Sequence, residues 1–121
     1  MNLSEQLARW LEPQFPASVV THGFMPETPD RCIAVYGADL RTLGDSDGAR
    51  LQIRVRGDRT ASMAADDAQV LANLLDDYHD GVWVPDAAYI IRVHVESGPA
   101  HIGADQNNRQ EYTLNLRVWT C

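Results

Sequence analysis

Apolar and polar residues alternate most cleanly in the last quarter of the chain. Tyr89-Ile-Ile-Arg-Val-His-Val-Glu96 and Glu111-Tyr-Thr-Leu-Asn-Leu-Arg-Val-Trp119 each put apolar side chains on one face and Arg, His, Asn or Glu on the other. The pattern predicts strands over Ala88–Glu96 and Glu111–Thr120. Between them, Ser97-Gly98-Pro99 and the stretch through Ile102-Gly103-Ala104-Asp105 to Arg109 read as a polar, glycine- and asparagine-rich loop. Leu51-Gln-Ile-Arg-Val-Arg56 alternates equally well. Arg31-Cys-Ile-Ala-Val-Tyr36 is a shorter, mostly apolar strand, paired with it as a hairpin across the Gly- and Asp-rich loop Gly37–Ala49.

Two segments follow the helical period instead. Leu3, Leu7, Trp10 and Leu11 recur at helical spacing, with Asn2 or Ser4 able to cap the start and Pro13 and Pro16 ending the run. Residues 16–31 hold three prolines and read as an extended connection. The turn Gly57-Asp58-Arg59-Thr60 feeds a second helix, capped by Thr60 or Ser62 and running to about Tyr78, where Gly81 stops it. Its stripe is Ala64, Ala68, Leu71, Leu75 and Tyr78, with Val70 and Leu74 beside it. The order α-β-β-α-β-β predicts an α+β fold: a four-stranded, mainly antiparallel sheet with both helices on one face. Residues 1–121 read as a single domain.

Composition narrows the partners. The formal net charge is -7, so neither anionic membrane nor sequence-specific nucleic-acid binding is expected. All ten basic residues are Arg, and each is planar and capable of bidentate contacts. The amphipathic start carries charges and does not read as a signal peptide, and no apolar run approaches the roughly 20 residues of a membrane span. Cys32 and Cys121 fit two free thiols in a reducing compartment, with a single disulfide still open.

Strand alternation gathers Arg54, Arg56, Arg92 and Arg117 on the outer sheet face of an otherwise acidic protein. Asp66, Asp67, Asp76 and Asp77, with Asp80 just beyond, lie on or near the second helix. One reading is a solvated sheet face and a solvated helix. The other is a pair of unlike patches for subunit contact. Like charges opposed across strands cost roughly 0.2–1 kcal/mol each, and exposed ion pairs return only about 0–1 kcal/mol. The eight residues first named are therefore taken as subunit-interface candidates.

Motifs for chemistry are weak. The four histidines and two cysteines lack the short spacing of a zinc site. No serine sits in a nucleophile elbow and no glycine-rich loop has phosphate-binding spacing. Asp105–Arg109 lacks the glycine and distal glutamate of a calcium loop and reads as a hairpin turn. Arg56-Gly57-Asp58 is a strand exit, and His94 with Glu96 is strand decoration. No catalytic residue, cofactor or metal is expected.

One resemblance rests on the order of short motifs between residues 50 and 120. They are Arg-Val-Arg-Gly57-Asp58, Ser97-Gly98-Pro99, Ile102-Gly103-Ala104-Asp105, Asn108-Arg109, Glu111-Tyr112-Thr113 and Asn115-Leu116-Arg117-Val118. This run resembles the minor capsid or tail-terminator proteins of long-tailed bacteriophages. The resemblance implies a non-enzymatic virion protein of the tail neck, assembled in the host cytoplasm. It implies a homo-oligomer, a hexameric ring, that caps the tail tube protein and joins it to the head connector or stopper protein. The rivals are another head–tail neck or completion protein, a small cytoplasmic enzyme or ligand-binding domain with a pocket around His94, Arg92 and Asn115, and a regulatory binding module.

Overall fold

The computed structural model describes residues 3–37, 48–76, 82–83 and 89–120. Helix α1 spans Leu3–Leu11 and a 3-10 turn, Glu12–Gln14, closes it with Pro13 inside that turn. Strands β1 (Val19–His22), β2 (Cys32–Gly37) and β3 (Ala49–Arg56) follow. Helix α2 spans Ala61–Leu75, and β4 (Val82–Trp83), β5 (Tyr89–Ala104) and β6 (Gln110–Thr120) complete the chain.

The described strands form one sheet in the order β1-β2-β3-β6-β5-β4. All neighbours are antiparallel except β1 and β2, which run parallel from Val19↔Cys32 to His22↔Val35. The fold is α+β as expected, with more strand than the four predicted. Val19–His22 adds a parallel edge strand inside the stretch read as a connection, and Val82–Trp83 adds a short one at the far edge. β5 does not stop at Glu96. It continues through Ser97-Gly98-Pro99 to Ala104, absorbing most of the predicted loop, and shows four register shifts against β6. Only Asp105–Arg109 remains as the hairpin turn.

Gly98 explains how a strand passes this point. Its φ is +96°, and a Cβ there would collide with the carbonyl of Thr113 on β6. The backbone approaches closely because no side chain intervenes.

Both helices lie on one face of the sheet, as predicted. α1 packs over β1 and β2, and α2 over β3, β5 and β6. Ile33, Val35, Leu51, Ile53, Val55, Val93, Leu114, Leu116 and Val118 supply the sheet side of the core. Leu7 and Leu11 of α1 and Ala68, Leu71 and Leu75 of α2 close it, all fully buried. The alanines of α2 let the helix sit close to the sheet. Where Gly57 leads into α2, an added Cβ would lie 2.7 Å from the backbone nitrogen of Ala64. Tyr78, Gly81 and Cys121 lie outside the described residues.

Candidate functional site

The outer face of the sheet carries the expected polar rows. Strand pairing sets Arg54 beside Thr113, Gln52 beside Asn115, and Arg50 beside Arg117. The amides link up: Gln52 Nε2 donates to Asn115 Oδ1 at 3.4 Å, and Asn115 Nδ2 donates to Ser97 Oγ at 2.8 Å. The guanidinium carbon of Arg54 lies 5.4 Å from the centre of the Tyr36 ring, and that of Arg92 lies 5.0 Å from the Trp119 ring. Arg117 Nε donates to Glu96 Oε1 at 3.3 Å. Arg54 and Arg92 are exposed, and Arg117 is half-buried.

Arg56 is on this side of the sheet but is 3% exposed. Residues 27–31 fold over that end of the face. Arg56 Nε donates to the Asp30 carbonyl at 2.8 Å, and Nη2 donates to the Pro29 carbonyl at 2.6 Å and to Cys32 Sγ at 3.3 Å. Its charge is satisfied within the subunit, so it is withdrawn from the outward-facing set. Burial pushes the Cys32 thiol above its ordinary range, against the opposing pull of the Arg56 charge.

The acidic candidates divide in the same way. Asp67 is buried and takes a bidentate contact from Arg31, Nε to Oδ2 at 2.8 Å and Nη2 to Oδ1 at 2.7 Å. It fastens α2 to the chain entering β2 and is withdrawn as well. Asp66 is exposed. Asp76 is exposed and accepts from the backbone N–H of Val95 at 3.3 Å, with His94 Nδ1 at 3.5 Å. Asp77 lies outside the described residues.

Sequence reasoning missed a polar cluster built on Arg109. Arg109, 5% exposed, sits at the end of the hairpin turn. Its Nε donates to Asp105 Oδ2 at 2.8 Å, and its Nη1 donates to the Glu27 carbonyl at 2.5 Å and to Asp30 Oδ1 at 3.3 Å. Asp105 Oδ1 also accepts the backbone N–H groups of Asn107 and Arg109. Burial alone would raise the Asp105 carboxyl. The hydrogen bonds from Arg109 and Asn107 outweigh it and hold the carboxyl below the ordinary range. Two arginines, Arg56 at the end of β3 and Arg109 in the β5–β6 turn, thus pin one loop. The sequence signal was only a polar turn ending in Arg, and its loop partners Glu27 and Asp30 lie some 80 residues away.

An open groove of about 500 Å³ runs past this cluster, lined by Glu27, Asp30, Asp58, Arg59 and Asn107 among others. A second, of about 340 Å³, lies on the sheet face between Arg50, Glu96, Ser97 and Asn115. Asn115 lines it, as a ligand-binding reading would require, but Arg92 and His94 do not. No group of His, Cys, Asp and Glu among the described residues is arranged to hold a metal ion. No helix among the described residues is long and apolar enough to cross a membrane.

The described residues form a small α+β fold with an arginine-bearing sheet face, a pinned loop and open grooves. The sequence model of the bacteriophage tail terminator protein family matches residues 5–119, and the chain belongs to that family. The match takes in the segment between Pro13 and Gly48 that the motif order alone did not reach. No curated protein matches the chain. Family membership makes the protein a structural component of the phage tail and of the virion, acting in virus assembly with tail and head components.

Proposed function

We propose that the chain, folded as one domain, closes into a homohexameric ring on the last ring of the tail tube, stops tube growth and offers its other side to the head connector or stopper protein. The single observation that carries this reading is the family match over residues 5–119. The geometry supports it. A ring needs a heterologous contact between two different patches of one subunit. The outer sheet face with Arg54 and Arg92, and the outward side of α2 with Asp66, are two such patches. The role needs no catalysis and no cofactor. Its place is the neck of the virion, with assembly in the host cytoplasm.

The test adds the purified full chain to polymerising tail tube protein. Growth is expected to stop, with the chain bound at one tube end only. Tubes that keep growing, or that carry the chain along their length, contradict the proposal.

A further inference from the structure

The outward stripe of α2 is Ser62, Asp66, Gln69, Val70 and Asn73, all exposed and spaced i, i+4, i+7, i+8 and i+11. Val70, in its middle, is 56% exposed. Gln69 Nε2 donates to Asn73 Oδ1 at 2.9 Å, which fixes the amides beside it. Asp66 makes no hydrogen bond or ion pair with any described residue. The stripe is polar apart from Val70, and Asp66 is its one charge.

The sheet face has the opposite imbalance. Arg50 stands directly across from Arg117, a like-charge pair. Glu96 neutralises Arg117, but Arg50 makes no ion pair with any described residue. Among the described residues Arg54 is offset only by the Tyr36 ring and a long 3.4 Å contact to Gln52. Both cations are exposed, in a chain whose net charge is -7. Arg50 and Arg54 lie about 13 Å apart along the strand. The α2 stripe runs about 16 Å from Ser62 to Asn73. Because α2 packs on the inner side of the sheet, the two patches face away from each other and cannot meet within one molecule.

We infer that the outward stripe of α2 in one copy seats on the outer sheet face of a second copy, with Asp66 set against Arg54 and Val70 covering the Tyr36 ring. The inference rests on the ring reading and names its contact. It is heterologous, so successive copies repeat it until the ring closes.

The test measures assembly of the full chain by mass photometry, alone and on tail tubes. Arg54→Asp and Asp66→Arg are each expected to weaken ring closure at least about tenfold, as like charges at one contact should. The double variant is expected to recover closure, and Val70→Arg to abolish it. All three sites are exposed, so urea midpoints should match the wild type. Rings that form normally in each single variant, or a double variant without recovery, overturn this contact and leave the ring reading standing. A wild-type chain that stays monomeric both alone and on tubes overturns the ring reading and this contact together.

Discussion

Asp105 holds Arg109 twice, accepting its side-chain Nε on Oδ2 at 2.8 Å and its backbone N–H on Oδ1 at 2.9 Å. One carboxylate therefore shapes the β5–β6 turn and aims the guanidinium that pins residues 27–30. Removing the Arg109 side chain leaves the half-buried Asp105 without its cation, held only by backbone N–H groups, and frees the loop from that side. Breaking a fully buried pair costs about 3–5 kcal/mol. Here Asp30 and Glu27 are exposed and fall back on water, so Arg109→Met is expected to cost about 2–4 kcal/mol. Urea denaturation measures it.

The same carboxylate sets a pH dependence. Its folded pKa is below its unfolded value, so its stabilisation is fully present above the unfolded value of about 3.9. That stabilisation is lost as pH falls through the lower, folded pKa. Asp105→Asn is expected to be less stable than wild type at pH 6, with a gap that narrows steadily below about pH 4. Urea midpoints at pH 6 and pH 3 compare the two. A constant gap would mean the Asp105 charge is not what the turn needs.

Two glycines with positive φ separate strain from space. Gly103 has φ +114° with nothing near its missing Cβ, whereas Gly98 has φ +96° with the Thr113 carbonyl in the way. Gly103→Ala is expected to cost about 1 kcal/mol from backbone strain. Gly98→Ala is expected to cost about 1–3 kcal/mol more, from overpacking against β6. Thermal or urea melts of the two variants give the difference directly.

The Cys32 thiol donates to the Pro29 carbonyl at 2.9 Å beneath the pinned loop, and its pKa is raised. It is expected to resist iodoacetamide in the folded protein and to react once urea is added. Peptide mapping by mass spectrometry reads the site. In Arg109→Met the loop is less restrained, and faster native labelling of Cys32 is expected.

The parts of the fold that sequence made legible are those with a periodic apolar face. Leu7 and Leu11 in α1, Ala64, Ala68, Leu71 and Leu75 in α2, and Leu51, Ile53 and Val55 in β3 all face the core as their spacing predicts. β1 was hidden because Val19–His22 is a short edge strand with no alternation of burial, set among prolines. The far half of β5 was hidden because Gly98 and Pro99 read locally as breakers, and bulges rather than regular pairing carry the strand past them. The site was legible by face but not by depth. Alternation placed Arg56 on the correct side of the sheet. Its burial depends on a loop more than 20 residues earlier folding over it, and no local pattern encodes that cover. Asp67 is the same case: it lies one residue from the exposed Asp66, and Arg31, 36 residues away, decides its role.

The central claim is that this protein ends the tail tube as a ring of identical copies. Electron cryo-microscopy of phage particles carrying the chain tests it most directly. The account expects density for six copies, fitting this fold, in one ring between the last tube ring and the head connector, with the outward side of α2 in each copy against the sheet of the next. Density for the chain anywhere else in the particle, or as isolated single subunits at the neck, would contradict it.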